Sequence, residues 1–237
     1  MSQFEYDAGL LKRYPDIVSG VVLAHGLRNG PTPAGLLALY RSEQQNVIAR
    51  LGDTPLSQVP ALSAWRSTFS SFGVEPTKYR SAPESLLRRL TKKGDIPSIN
   101  LLVDAGNLIS IRYALPVAVF DTTHIQGSLK VTFASGQERF TVLSETGDAV
   151  EHPVPGEVIF VDETGLVFSR RWCWRQSEAS AAQLITTEAI ITVEAQHAGS
   201  RAEVESALAD LTALLKEYAG GTYTTGILDA ANPGLAD

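Results

Sequence analysis

The amino-acid sequence predicts an α+β fold, in which a helix-rich first part precedes a sheet-rich second part. Three segments before residue 112 carry apolar residues at helical spacing. After Pro116 the pattern changes to short runs rich in β-branched and aromatic residues, separated by turn compositions such as SGQ, ETGD and DETG. We expect one domain over 1–237, with helices to about 112, sheet over about 113–198 and a final helix over about 200–219.

The three early segments also carry helix-boundary signals. In TPAGLLALYRSEQQNVIARLG, Thr32 is the predicted N-cap and Gly52 stands just past the end. PALSAWRSTFSSFG repeats this design, because its apolar residues recur at helical spacing and a glycine ends it. SAPESLLRRLTKKG begins with Ser81 and Glu84 at the spacing of a capping box.

The second part reads as strands followed by one regular helix. Strands are predicted for VAVF, SLKVTFA, ERFTVL, EVIFVD, LVFSRRWCW and AIITVEA. SRAEVESALADLTALLKEYAGG predicts a helix that begins with a capping box of Ser200 and Glu203 and ends at a glycine pair. The terminal residues NPGLAD are expected to be frayed.

Composition and charge limit the classes of protein to which this chain can belong. The chain has 237 residues, 44% hydrophobic and 19% charged, which is typical of a globular protein. No apolar run has the length of a signal peptide core or a membrane span, so we expect a soluble cytoplasmic protein. The single cysteine, Cys173, excludes an internal disulfide and a cysteine-rich zinc site, and no histidine pair has metal-ligand spacing. We therefore expect no metal and no cofactor.

A protein that binds a nucleic-acid backbone through its overall charge should be positively charged, whereas this chain has a net charge of −6. A local patch is the alternative, and the third predicted helix carries the densest group of cations. These residues are Arg88, Arg89, Lys92 and Lys93. A solvated helix face without any binding role is the competing interpretation of the same pattern.

The segment INLLVDAGNLISIRYALPVAVFD is apolar except for a few polar residues. On a helix, Asn100, Asp104 and Asn107 fall on one stripe, where buried polar groups can share partners. For Asp104 and Asn107 we favour a structural role, in which they hydrogen-bond neighbouring irregular backbone. Asn100, nearest the helix start, is the candidate for a pocket, together with Arg112.

The segment RRWCWRQ admits two interpretations. On a strand, Trp172, Trp174 and Gln176 would face one side and offer a stacking surface flanked by arginines, with Arg175 close by. Alternatively the tryptophans fill the core and the arginines cover it. Neighbouring arginines would lower the pKa of Cys173 and permit a thiol-dependent hydrolase, although a buried cysteine is usually inert.

A family resemblance adds to these patterns. The runs PSINLLVDAGNLISIRYALPVAVFD, IQGSLKVTFASGQERF and GEVIFVDE resemble the B3/B4 domain of the bacterial phenylalanyl-tRNA synthetase beta subunit. The shared features are an Asn-x-x-x-Asp-x-x-Asn helix, a proline before a strand that ends in Phe-Asp, and a Gly-x-Glu turn. In this chain they are Asn100, Asp104, Asn107, Pro116, Phe120 and Asp121. KYRSAPESLLRRL and SRRWCWRQS look more like free-standing members of that family.

The resemblance implies a fold and a function. The fold is an α+β domain with an unusual β-sandwich core flanked by helices. The synthetase domain is an editing module that hydrolyses the ester between tyrosine, a wrong amino acid, and the terminal adenosine of the tRNA. Free-standing relatives are proposed to act in trans. The partners implied are aminoacyl-tRNA or a free amino acid, with an aromatic amino acid favoured and DNA and membranes excluded.

Two positions bear on the mechanism that the resemblance implies. The synthetase pattern has a histidine two residues before Phe-Asp, where this chain has Ala118, whereas a strand glutamate matches at Glu194. No synthetase motif is present, so synthetase activity itself is not expected. The hypotheses are therefore an editing hydrolase, a non-catalytic binding module and, more weakly, a Cys173-dependent hydrolase, with no catalytic residue assigned.

The predicted site has two parts. We expect Asn100, Arg112, Trp172, Trp174, Arg175 and Gln176 to line one substrate pocket. We expect the patch of Arg88, Arg89, Lys92 and Lys93 to bind the tRNA backbone.

Overall fold

The computed structural model describes residues 3–144 and 147–237, with the side chains of 143–148 excepted. In that part of the chain the helices are α1 (Ala8–Arg13), α2 (Ala34–Leu51), α3 (Pro60–Ser71), α4 (Ala82–Lys93), α5 (Leu101–Tyr113) and α6 (Arg201–Tyr218). The strands are β1 (Gln3–Tyr6), β2 (Val18–His25), β3 (Val117–Asp121), β4 (Leu129–Phe133), β5 (Phe140–Ser144), β6 (Gly147–Glu151), β7 (Val158–Val161), β8 (Val167–Arg170), β9 (Arg175–Gln176), β10 (Ala189–Ala195), β11 (Thr222–Leu228) and β12 (Gly234–Ala236).

Two larger sheets organise these strands. The four-stranded sheet has the order β11-β2-β10-β3 and is antiparallel throughout. The six-stranded sheet has the order β12-β1-β4-β7-β8-β9, in which β1 and β4 are parallel and the other pairs are antiparallel. A separate hairpin pairs β5 with β6.

The layers are helices, sheet, sheet and hairpin. Helices α2, α4, α5 and α6 bury their apolar residues in one core cluster with the outer face of the four-stranded sheet. A second, aromatic-rich core lies between the two sheets and includes Phe4, Phe120 and Phe160. Phe140 and Val142 of β5 pack with the far face of the six-stranded sheet. The predicted α+β class is confirmed: four helices flank one side of a β-sandwich, while α1 and α3 contribute residues to the core between the sheets.

Strand β10 shows how the pleat distributes side chains between these cores. Ile191 and Val193 belong to the helix-side core, whereas Ile190 belongs to the core between the sheets. Because alternate residues of a strand share a face, Glu194 points the same way as Ile190. A carboxyl group is thereby directed into the interior of the sandwich, where it is 1% exposed.

The sequence patterns missed strands at both ends of the chain. Three helices were expected to fill the first hundred residues, yet β1 and β2 lie there, and β2 pairs with both β10 and β11. The sequence of β2, VSGVVLAH, has no alternation because both of its faces are buried. The terminal residues are not frayed, because Gly234–Ala236 forms a strand paired with β1.

The helices end where predicted, but their caps differ. Thr32 is not the N-cap of α2, since Pro33 holds that position and the Thr32 hydroxyl donates to Asp104. Ser81 and Ser200 stand at the N-caps of α4 and α6, and neither side chain accepts a capping hydrogen bond. The expected capping boxes are therefore absent from both helices, and packing of their apolar faces stabilises them instead.

The strand predicted for LVFSRRWCW ends earlier than expected. Strand β8 stops at Arg170, and Arg171 and Trp172 take positive φ angles of 46° and 61° in a tight turn before β9. The interpretation that the two tryptophans share one face of a strand is therefore wrong. Non-glycine residues in this region are strained and persist only where their surroundings hold them.

A buried ion pair holds this turn. The Nε and Nη2 atoms of Arg170 each donate to a different oxygen of the Glu157 carboxylate at 2.9 Å. The backbone N–H of Arg171 donates to the same carboxylate at 3.1 Å, and the N–H of Trp172 donates to the Val158 carbonyl at 2.7 Å. Arg170 and Glu157 are each 4% exposed, and the Arg170 Nη1 atom also donates to the exposed Glu151 at 2.5 Å.

Replacing Glu157 with Ala should lower the free energy of unfolding by about 3 kcal/mol, because the buried Arg170 guanidinium loses its bidentate partner and keeps only the exposed Glu151 carboxylate, 2.5 Å from Nη1. Urea unfolding followed by tryptophan fluorescence measures this loss. The matched control is Asp95→Ala, which removes an exposed partner of Arg89 and should change stability by no more than about 0.5 kcal/mol. Equal losses in the two variants would contradict the role assigned to the buried pair.

Candidate functional site

A cleft of about 620 Å³ lies between α4, α5, the edge strand β3 and the segment that follows β9, and we call it the outer cleft. Its walls are mainly apolar, with Leu86, Ile99, Val103, Val117 and Val119 among the lining residues. Its polar lining residues are Ser85, Arg89, Asn107, Gln176, Ser177 and Glu178. This size and composition are typical of a site that binds a small organic ligand.

A smaller cavity of about 60 Å³ adjoins the outer cleft, and we call it the inner cavity. The two share Ala82, Val117, Trp174 and Gln176 as lining residues. The inner cavity is also lined by Pro116, Ala118, Phe160, Ser169, Trp172, Cys173, Arg175 and Glu194. It therefore reaches from the edge of the sandwich toward the buried carboxyl of β10.

Gln176 and Trp174 form the boundary between the two spaces. The Gln176 amide nitrogen donates to the carbonyl oxygens of Val119 at 2.7 Å and Ser180 at 2.8 Å, which ties β9 to the edge strand β3. The Trp174 ring stands edge-on to Tyr79 with a centroid distance of 4.9 Å, and the Arg171 guanidinium lies 4.3 Å from the Trp174 centroid. These contacts fix Trp174 as the aromatic wall of the site.

Glu194 is the titratable group at the centre of the inner cavity's wall. Its Oε1 accepts hydrogen bonds from the Tyr6 hydroxyl at 2.5 Å and from the Trp172 indole N–H at 2.9 Å. Burial raises the pKa of Glu194 from its ordinary value of 4.5 to about 7, and the two donors oppose that rise. A carboxyl with a pKa in this range can accept or donate a proton near neutral pH.

Cys173 lines the same cavity but its thiol is not activated. Burial and the neighbouring Glu194 raise the pKa of Cys173 well above its usual value. Because the turn breaks the predicted strand, Arg171 stacks on Tyr79 and Trp174 instead of facing the sulfur. The expectation that arginines lower this pKa is wrong, and the thiol-dependent hydrolase loses its physical support.

The predicted pocket residues are only partly brought together. Trp174, Arg175 and Gln176 line the inner cavity, as does Trp172, which is fully buried and offers no free ring face for stacking. Arg112 lies elsewhere, in ion pairs with Glu43 and Asp210 at the other end of α5.

Asn100 is the N-cap of α5. Its oxygen accepts from the Val103 N–H at 3.1 Å and its amide donates to the Ala182 carbonyl at 2.9 Å. It thus supports the cleft wall at Ala182 without lining the cleft. Asp104 accepts hydrogen bonds from Thr32, Ser98 and the backbone of Ile99. The structural role predicted for Asp104 is confirmed, whereas Asn107 lines the outer cleft.

Helix α4 places its cations on a ridge beside the outer cleft. Arg88, Arg89, Lys92 and Lys93 are all exposed. Arg89 lines the outer cleft, while Arg88 and Lys92 line a groove of about 420 Å³ on the other side of the helix, together with Arg66 and Arg80. The binding role predicted for these cations stays a prediction, and their position next to the cleft is compatible with it.

Other groups stand apart from the site. In the part of the chain that the structure describes, none of the four histidines lines the outer cleft or the inner cavity. Among residues 3–144 and 147–237, no cluster of three or more His, Cys, Asp or Glu side chains is arranged to hold a metal ion. Nor does any helix within those ranges have the length and apolar character that crossing a bilayer requires.

Tyr6 is the site residue that sequence reasoning missed. It lies on β1, which no pattern predicted, and reaches Glu194 across 188 positions of sequence. In QFEY, Phe4 and Tyr6 alternate with polar residues, which is the local pattern of a strand. Four residues are too few for this pattern to distinguish a strand from other structures.

Comparisons with known proteins agree with this architecture. The family model described as "B3/4 domain" matches residues 64–220. The phenylalanine–tRNA ligase beta subunit of Listeria innocua is 32% identical over 185 residues, covering 67% of this chain and 22% of that subunit. The corresponding subunit of Dechloromonas aromatica is 33% identical over 72 residues, covering 30% of this chain and 9% of that subunit. The chain thus matches less than a quarter of either subunit's length.

A solved structure shows a looser likeness. It is an N-terminal fragment of the phenylalanyl-tRNA synthetase beta-subunit from Pyrococcus horikoshii, with a TM-score of 0.44 and 11% sequence identity. The superposition covers 95% of this chain and 50% of that chain.

The raised pKa of Glu194 predicts a pH dependence of stability. A carboxyl whose pKa is higher in the folded than in the unfolded state binds its proton more tightly when folded, so stability falls as pH rises from about 4.5 to about 7. The loss should be about 3 kcal/mol and level off above that window.

Glu194→Gln is the comparison variant, because its amide oxygen can accept the same two hydrogen bonds without titrating. Urea unfolding of both proteins between pH 4 and 8 should show the variant gaining stability relative to the wild type across the window. Parallel curves for the two proteins would show that Glu194 is not the group responsible.

Proposed function

The chain belongs to the B3/4 domain family, and we propose that it binds the aminoacylated end of a tRNA and hydrolyses the ester of a mischarged amino acid, acting in trans. One observation carries the proposal. A buried carboxyl with a pKa near 7 lines an inner cavity that adjoins a cleft of about 620 Å³. This arrangement offers a ligand-sized space beside a proton acceptor that works at neutral pH.

The outer cleft suits the terminal adenosine. Its apolar walls from α5 and β3 can cover the faces of a base, and the Asn107 amide supplies a donor and an acceptor for a base edge. Arg89 stands at the outer cleft, and Arg88 and Lys92 line the groove on the other side of α4, so the phosphates that precede the adenosine would cross α4 between the two spaces. Trp174 then lies at the junction where the ribose meets the inner cavity.

The chemistry requires a water molecule and a proton acceptor. Water attacks the carbonyl carbon of the aminoacyl ester and gives a proton to Glu194. The bond between that carbon and the ribose oxygen then breaks, the ribose oxygen takes the proton, and the free amino acid leaves. Tyr6 and Trp172 orient the Glu194 carboxyl for this step. General base catalysis of this kind contributes about 10²–10⁴-fold.

A binding module without chemistry is the second candidate, and one observation favours it. Ala118 lines the inner cavity at the position where the synthetase pattern that this sequence resembles has a histidine. If that imidazole is needed for hydrolysis, the site would retain the shape that holds an aminoacyl group and lack the group that cleaves it.

Deacylation assays separate the two candidates. Purified protein should release amino acid from mischarged tRNA faster than the spontaneous rate, and the rate should rise with pH up to a plateau governed by a pKa near 7. Glu194→Gln should lower the rate about 10²-fold or more, whereas Cys173→Ser should leave it nearly unchanged. Binding of charged tRNA without hydrolysis would establish the binding module, and loss of activity in the cysteine variant would restore the thiol mechanism.

The cationic ridge gives an independent test of tRNA binding. Replacing Arg88, Arg89, Lys92 and Lys93 with Ala should weaken binding at low salt and flatten the dependence of log K on log salt. Each phosphate contact contributes about 0.7–0.9 to that slope, so the loss should be about 2–4. Filter binding or fluorescence anisotropy over a series of salt concentrations measures it.

The control for this variant removes exposed cations from other helices. Arg41→Ala and Lys216→Ala lie on α2 and α6, and neither residue lines the outer cleft or the groove beside α4. Their combination should leave the slope nearly unchanged. If both variants reduce the slope equally per charge removed, the attraction is diffuse and α4 is not the binding ridge.

A further inference from the structure

We propose that the aminoacyl group accepted by this site is small, of the size of glycine, alanine or serine, and that the aromatic amino acids favoured by the family resemblance are excluded. The inference rests on the proposed function and deepens it. The inner cavity measures about 60 Å³, less than half of the ~150 Å³ apolar cavity that holds a benzene ring. A phenyl or phenol side chain therefore does not fit beside Glu194.

The walls of the inner cavity are held too firmly to open for a ring. Trp172 is fully buried, donates its backbone N–H to Val158 and its indole N–H to Glu194, and stands edge-on to Tyr14 and Trp65 with centroid distances of 5.2 and 5.3 Å. Phe160, on the opposite sheet from Ala118, is 1% exposed. Moving either ring would open voids in a close-packed core.

Ala118 determines how much of this space is free. It lies on the edge strand β3, faces the core between the sheets and lines the inner cavity. Its methyl group leaves room that a larger side chain at this position would fill. A small aminoacyl group entering past Trp174 would bring its ester carbonyl next to Glu194, whereas a large one would be held in the outer cleft, away from that carboxyl.

A single tRNA charged in turn with glycine, alanine, serine, phenylalanine and tyrosine tests the inference. Relative to each spontaneous rate, the purified chain should accelerate hydrolysis of the three small esters at least ten times more than that of the two aromatic ones. Faster hydrolysis of the tyrosyl or phenylalanyl ester would overturn this inference and leave the proposed function standing. If no ester is hydrolysed faster than its spontaneous rate, the proposed hydrolase function and the size inference are both wrong.

Variants at Ala118 test the role of the cavity directly. Ala118→Val should reduce hydrolysis of the seryl and alanyl esters at least tenfold and that of the glycyl ester less. Ala213→Val, at an exposed position of α6, is the matched control and should change none of the three. An equal effect of Ala118→Val on all five esters would contradict a size filter at this position.

A second variant keeps the test informative if Ala118→Val folds poorly, which thermal unfolding would reveal. Ala118→Gly enlarges the inner cavity, so it should widen the range of esters hydrolysed toward valine and threonine while the glycyl ester is still hydrolysed. A narrowed or unchanged range in this variant, with the folded state intact, would overturn the proposal.

Discussion

The hydrogen bonds that Glu194 accepts between the two sheets are the constraint on which the site depends. Glu194 belongs to the four-stranded sheet, Tyr6 to the six-stranded sheet and Trp172 to the turn after β8. An unpaired carboxyl in this interior would cost several kcal/mol, so both donors must arrive for the sandwich to close around it. These two hydrogen bonds meet at Glu194. They thereby fix the position of β1 and of the turn after β8 relative to β10.

The turn after β8 connects the buried Glu194 with the wall of the outer cleft. With Arg171 and Trp172 at positive φ, consecutive residues no longer alternate as they do on a strand, and Trp172 enters the core while Trp174 lines the outer cleft. The ion pair of Arg170 with Glu157 holds this strained conformation in place. The strained turn and the candidate site therefore coincide, because the same turn directs Trp172 to the Glu194 carboxyl and Trp174 to the outer cleft.

The sequence predicted those elements whose pattern is local. Helix α5 was predicted because its polar residues form one stripe, and α6 because its apolar stripe is regular. Strand β2 was missed because a strand buried on both faces has no alternation. The turn at Arg171 and Trp172 was missed because no glycine marks it and the carboxylate that stabilises it lies 14 residues away from Arg171. Arg112 was misplaced for the same reason, since its partners Glu43 and Asp210 are distant in sequence.

Ala118 connects the chemistry of the site with its size. Ala118 lines the inner cavity, so a larger side chain at this position would take up part of its volume of about 60 Å³. Where the pattern that this sequence resembles has a titratable ring, alanine supplies only a methyl group and leaves the space open. Glu194 then remains as the lining residue whose pKa lies near 7, and the space beside it is limited by Trp172 and Phe160. Under the proposed function, this one position on an edge strand determines both which group accepts the proton and how large an acyl group reaches it.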